Sequence, residues 1–168
     1  MPLSMYEASV PVMQRRMRQL IGILDKAEAH CTARKIDPEV LINARLFPDM
    51  FPLRRQVQIA TDMAKAAAAR LSGFEVPTSQ DTDKTFADLK ARLQGAIDYL
   101  AKFKPEQIDG SEDKEIKLTI GGQPATLKGQ MYLLNHAYAH FNFHTVTAYN
   151  ILRHNGIEVG KRDWVGTF

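Results

Sequence analysis

Residues 129–156 read GQMYLLNHAYAHFNFHTVTAYNILRHNG, and this stretch decides the fold. Its apolar side chains recur every three or four residues, which is the spacing of one face of an α-helix. Asn155-Gly156 ends the pattern with residue types that favour a helix terminus. The stretch predicts an amphipathic helix from about Gly129 to His154. Its predicted apolar stripe consists of Leu134, Tyr138, Phe141, Thr145, Ala148 and Leu152.

Three earlier segments have the same apolar spacing. The first stripe is Tyr6, Val10, Met13, Met17, Leu20, Leu24 and Ala27; the second is Leu53, Val57, Ala60, Ala64, Ala67 and Leu71; the third is Phe86, Leu89, Leu93, Ala96, Leu100 and Phe103. Each apolar stripe must be covered by the others, so four such helices predict an all-α four-helix bundle.

Two longer inserts separate these helices. Asp37-Pro38-Glu39 is a helix-start signal, and it predicts one short helix, ending near Leu46, between the first and second long helices. Before the fourth helix, apolar residues alternate with polar ones from Ile116 to Ile120, and Gly121-Gly122 supplies a turn. This pattern predicts a small β-hairpin.

The link between the second and third helices is short, from Gly73 to about Asp81. A short link is typical of antiparallel neighbours, so we expect these two helices to be antiparallel. In a plain up-and-down bundle, both inserts would then lie at the same end and form the walls of any pocket there.

The composition is that of an ordinary globular protein, with 168 residues, 45% hydrophobic residues and a net charge of +3. We expect one domain over residues 1–168. Basic residues are not gathered into one run, which argues against a nucleic-acid partner. Cys31 is the only cysteine, and the sequence has neither a signal-peptide pattern nor a membrane-spanning apolar run. We therefore expect a cytoplasmic protein without a membrane partner.

His136, His140 and His144 follow one another at intervals of four residues on the last predicted helix. Side chains four residues apart on a helix are neighbours, so two imidazoles can share a metal ion. Projection at about 100° per residue places His144 towards the core, His140 at the margin of the stripe and His136 closer to the surface. The alternative interpretation is that these histidines are structural and bind nothing.

The chain also resembles a known family. The resemblance rests on the His140/His144 pair followed by Arg153-His154-Asn155-Gly156, and on three longer stretches: Leu46-Phe47-Pro48-Asp49-Met50-Phe51-Pro52-Leu53, Gln56-Val57-Gln58-Ile59-Ala60 and Asn155-Gly156-Ile157-Glu158-Val159-Gly160-Lys161-Arg162-Asp163. Together they resemble a bacterial branch of unknown function within the DinB/YfiT-like superfamily of four-helix proteins.

The resemblance implies a nickel or zinc site with three histidines, one from the second helix and two from the fourth. Some members of the superfamily are transferases of low-molecular-weight thiols, isomerases or hydrolases. The fourth-helix pair corresponds to His140 and His144, but the second helix contains no histidine. Its nearest counterparts are Gln58 and Ile59. Asp62, one turn after Gln58, can supply an oxygen ligand instead.

Three functions therefore remain open. The first is a metal-dependent enzyme with a site between the second and fourth helices, where His140 and His144 hold the ion. The second is a metal-free pocket for a small molecule, lined by the same histidines together with Gln58, Asp62, His136 and Tyr138. The third is a structural or interaction module that forms a homodimer through its helices.

Overall fold

The computed structural model describes residues 3–167, and most of them are helical. The elements are α1 Val10–Arg34, α2 Pro38–Ile42, α3 Leu53–Ser72, α4 Phe86–Leu100, α5 Pro105–Ile108, β1 Glu115–Ile120, β2 Gln123–Lys128, α6 and α7 Lys161–Val165. The long helix α6 is continuous and consists of Gly129–Met131, a π-helical segment Tyr132–Ala137, and Tyr138–His154. The prediction of a mostly helical chain with a small hairpin is confirmed.

The helices α1, α3, α4 and α6 enclose one hydrophobic core. Every predicted stripe residue of α3 and α4 is buried, and so is the stripe of α1 from Val10 onwards. In α6 the prediction is wrong at Leu134, whose side chain is 49% exposed. A π-helical turn holds more residues than an α-helical turn, so the apolar face shifts there. Tyr132, Leu133 and Ala137 enter the core instead.

Contacts between the long helices fix their directions. α1 and α4 are antiparallel, since the Gln14 amide near the start of α1 donates to the Ile97 carbonyl near the end of α4 at 2.9 Å. α3 and α4 are parallel, because Phe74 follows the C-terminal end of α3, Phe103 follows the C-terminal end of α4, and their rings lie 5.8 Å apart. α6 runs antiparallel to α3, since Arg70 at the end of α3 donates to the Tyr132 hydroxyl at the start of α6.

The predicted antiparallel pairing of the second and third long helices is therefore wrong. Residues 73–85 contain no regular element and run back along α3 before α4 begins. Lys65 contacts Ser79 and Arg55 contacts Asp81 along this course. An extended segment of this length reaches about 40 Å, which exceeds the ~30 Å length of α3. A link that reaches the far end of α3 permits the parallel arrangement.

The two inserts consequently lie at opposite ends of the molecule, which corrects the expectation that both lie at one end. The α2 insert follows the C-terminal end of α1. The segment before the hairpin instead packs beside the residues that precede α1, where Asp109 accepts hydrogen bonds from Ser4 and the Tyr6 amide. The short helix ends at Ile42 and not near Leu46.

The hairpin turns at Gly121-Gly122 as predicted, and Ile120 lies opposite Gln123 across this two-residue turn. Both turn residues are glycines with positive φ, 57° at Gly121 and 81° at Gly122, as this tight turn requires. Among residues 3–167, no helix is both long enough and apolar enough to cross a membrane.

Candidate functional site

The aromatic rings of Tyr132, His136, His140 and His144 form a row along α6. Successive ring centroids lie 5.6, 4.5 and 6.4 Å apart. His144 is buried, His136 is half-buried and His140 is exposed. The structure thus reverses the predicted exposure of His136 and His140. The π-helical segment ends at Ala137, and it turns His136 towards Tyr132 and the protein interior.

The polar partner of His144 comes from the first turn of α3. Its Nδ1 lies 2.7 Å from Oε1 of Gln56, and Nε2 of Gln56 donates to the carbonyl of Phe51 at 2.8 Å. Because that second bond fixes the amide orientation, Oε1 is the acceptor and His144 must carry its proton on Nδ1. The tautomer assigned in this way leaves a lone pair on Nε2.

His144 is held in its neutral form. Burial is the main cause that lowers its pKa from 6.5 to about 4, with smaller contributions from the charges of His140 and Arg55. At neutral pH the ring is therefore an uncharged acceptor at Nε2. Burial also lowers the pKa of His136, with further contributions from His140 and Arg70.

An open groove lies beside His144. It has a volume of about 300 Å³ and is lined by Ala139, His140, Phe143 and His144. The Phe143 ring meets His144 edge-on at 5.2 Å and is 56% exposed. Within residues 3–167, Nε2 of His144 makes no hydrogen bond. The groove thus combines an apolar wall with an unused acceptor on His144.

Gln58 and Asp62 lie on another face of α3. The Gln58 amide donates to Asp83 at 2.8 Å, and both Asp62 carboxylate oxygens accept from Arg92 at 3.1 Å. These contacts tie α3 to α4 and to the segment between them. The structure does not bring either residue to the histidines.

Gln56, which sequence reasoning missed, takes their place beside His144. Two positions along a helix differ by about 200° around its axis, so Gln56 and Gln58 face nearly opposite ways. The sequence contains a signal for Gln56 only in hindsight: it is a polar residue beside the apolar stripe, one position before Val57. Choosing between the two glutamines requires the rotation of α3.

Tyr138 is also turned away from the groove. Its hydroxyl donates to the backbone carbonyl of Ala8, next to the start of α1. Burial raises the pKa of Tyr138 to about 12, so it stays protonated as this hydrogen bond requires. Of the predicted pocket residues, only His136 lies in the row with His140 and His144.

The donor set can be compared with the metal site that the family resemblance implies. Catalytic zinc sites use three protein ligands, and structural sites use four. His140 and His144 offer two nitrogens, whereas the Gln56 amide bonds Nδ1 of His144 and the Phe51 carbonyl and is therefore not free to coordinate an ion. Residues 3–167 contain no group of three or more His, Cys, Asp or Glu side chains arranged for a metal ion. These residues do not fit a three-histidine site.

Comparisons with known proteins agree with this architecture. A family model described as a domain of unknown function, DUF1993, matches residues 5–165. The chain is also similar to a DinB family member protein from Shewanella denitrificans, known from a crystal structure, with 38% sequence identity and a TM-score of 0.89. The match covers 97% of this chain and 92% of that one. No curated protein matches the chain.

Proposed function

The chain belongs to the DUF1993 family and to the wider DinB family, and from that premise we propose that it binds a small organic molecule without a metal. The observation that carries this proposal is the neutral His144 ring, which presents an unused Nε2 acceptor to an open groove. The ligand donates an N–H or O–H hydrogen bond to Nε2 and lays an apolar portion against Phe143.

The pKa of His144 favours binding over acid–base catalysis. A general base works best when its pKa lies near the operating pH. With a pKa of about 4, His144 is a poor proton acceptor at pH 7 but remains a good hydrogen-bond acceptor. A buried acceptor selects strongly for ligands that carry a donor, because other ligands leave it unsatisfied.

The test compares benzyl alcohol with its donor-free analogue, benzyl methyl ether. We expect benzyl alcohol, titrated into isotope-labelled protein with excess chelator, to shift the NMR signals of Ala139, Phe143 and His144. The ether should bind about tenfold more weakly, which corresponds to one lost hydrogen bond. The variant His144→Phe should abolish the difference between the two probes, whereas His136→Gln should keep it. Equal binding of both probes to the wild-type protein would contradict the proposal.

A metal-dependent enzyme is the second candidate, and one observation favours it. The rings of His140 and His144 lie on the same side of α6 with centroids 6.4 Å apart, and Nε2 of His144 is free. A bound zinc or nickel ion would act as a Lewis acid. Elemental analysis of protein purified without an affinity tag decides between the candidates. Stoichiometric metal that disappears in His140→Ala would refute the metal-free proposal.

The predicted homodimer and cytoplasmic location stay predictions for this protein. Sedimentation velocity on the untagged chain measures the first of them directly. A single species with the mass of the monomer, 18.9 kDa, at micromolar concentration would contradict the homodimer.

A further inference from the structure

A second, larger cavity lies at the end of the molecule where α1 ends and where α3 and α4 begin. Its volume is about 660 Å³, within the ~300–1,000 Å³ range of small-molecule sites. Its lining includes the buried apolar side chains of Ile42 and Phe86. None of its lining residues belongs to the histidine groove.

Three acidic residues line this cavity. They are Glu28 from α1 and Asp37 and Glu39 from the start of α2. Glu28 is engaged by Lys90 at 2.8 Å, and Asp37 accepts the backbone amide of Glu39 at 3.0 Å. The Glu39 carboxylate itself makes no ion pair or side-chain hydrogen bond within residues 3–167. It is available to a ligand cation.

Two basic residues line the same cavity. Arg54 lies in the first turn of α3, and Lys84 lies just before α4. In the part of the chain that the structure describes, neither side chain forms an ion pair or a hydrogen bond, although Arg55 and Arg92 nearby are both paired. α3 also begins without a side-chain cap, so the positive end of its helix dipole adds to the positive potential near Arg54.

We propose that this cavity binds a zwitterionic molecule of the amino-acid or short-peptide class. The ligand carboxylate pairs with Arg54 and Lys84, and its ammonium group pairs with Glu39 and Asp37. Each interaction uses a charge that the fold leaves unpaired or only partly engaged. A ligand with only one charge would pair with either the basic or the acidic residues and leave the other set without a ligand partner.

The experiment uses three matched peptides as probes: triglycine, N-acetyltriglycine and triglycinamide. The first is a zwitterion, the second keeps only the carboxylate and the third keeps only the ammonium group. Isothermal titration calorimetry with the full chain should detect triglycine, and each blocked peptide should bind about tenfold more weakly. Equal affinity for the three peptides, or no binding of triglycine at about 10 mM, would overturn the proposal.

Variants test the basic and the acidic residues of the cavity separately. Arg54→Gln should weaken triglycine about tenfold and leave triglycinamide unchanged, because triglycinamide lacks the carboxylate. Glu39→Gln should weaken triglycine similarly and leave N-acetyltriglycine unchanged. Arg18→Gln, which removes an exposed cation of α1 outside the cavity, is the control and should change nothing. Losses of all three peptides together in either cavity variant would contradict charge-specific recognition.

Discussion

Two faces of α3 carry polar clusters, and they differ in how completely their hydrogen-bonding groups are used. On one face, Arg92 of α4 is bonded through all its nitrogens, and its acceptors are Thr61, the Gln80 carbonyl, Asp62, Asp81 and Asp83. On the other face, the Gln56 and His144 pair leaves Nε2 of the imidazole open to a groove.

The difference separates an architectural cluster from a candidate site. The Arg92 cluster has no unused donor at its centre, and it fastens residues 73–85 along α3. Its guanidinium-bearing side chain is only 9% exposed. His144 is similarly buried, at 8% exposure, yet it lines a groove where a ligand can bond its free nitrogen. Burial and polarity alone do not identify a candidate site. An unused hydrogen-bonding group beside an accessible cavity is the feature that separates the two clusters.

The largest expected effect comes from breaking the Arg92 cluster. Arg92→Met leaves the carboxylates of Asp62, Asp81 and Asp83 close together without their shared cation. Removal of one partner from a buried ionic cluster costs about 3–5 kcal/mol of unfolding free energy, and we expect the lower end of this range because Asp62 and Asp81 are each 40% exposed. Urea unfolding at pH 7 measures this cost.

The matched control for that measurement is Arg55→Met. Its side chain is 37% exposed, its ion pair within residues 3–167 is with Asp81, and it also donates to Gln58 at 3.4 Å, so the loss should stay within about 1 kcal/mol. If Arg92→Met also cost less than this, the cluster would contribute little to holding residues 73–85 against α3.

A smaller effect is expected from acidifying the His144 face. The unfolded chain protonates His144 near pH 6.5, whereas the folded chain does so only near pH 4. The unfolded state therefore binds the proton first, and stability falls as the pH decreases through this interval. The full decrease attributable to His144 is about 3 kcal/mol. Urea unfolding between pH 7.5 and pH 4.5 measures most of it.

His144→Gln should lose the larger part of this acid sensitivity. A smaller part in the same direction remains from His136, because burial lowers its pKa as well. An unchanged pH dependence in His144→Gln would show that the imidazole is not held neutral by its surroundings.

The smallest effect is expected for Asp62→Asn, which tests whether the Arg92 cluster and the His144 pair are independent of each other. Asp62 is 40% exposed, and Arg92 keeps Asp81 and Asp83 as partners. The unfolding free energy should change by less than about 1 kcal/mol. The NMR titration of His144 should not move, whereas Gln56→Leu should alter it. A shift of the His144 titration in Asp62→Asn would place Asp62 functionally beside the histidines.

Much of the fold was predictable because apolar spacing is a local signal. The stripes of α1, α3 and α4 and the glycine turn of the hairpin were predicted residue by residue. The error at Leu134 has a local cause too, but a π-helical segment leaves no distinct mark in the apolar pattern. The parallel course of α3 and α4 was missed because the length of residues 73–85 allows either direction.

The candidate site was predictable only in part. The spacing of His140 and His144 placed both on one side of the last helix. Which residue of α3 lies beside His144 depends on how that helix is rotated about its axis. The predicted residues, Gln58 and Asp62, lie on another face of α3. Gln56 faces His144 because α3 and α6 run antiparallel with their apolar stripes in contact.

The helices, the hairpin and the histidine row follow from spacing within single segments, so they could be predicted without knowledge of the packing. Which polar groups meet across segments depends on the packing: Arg92 with three aspartates, Gln56 with His144, and acidic with basic residues around one cavity. The physical reason is that helix direction and rotation are set by packing of the whole core. A change of two positions on a helix reverses the face that a side chain presents.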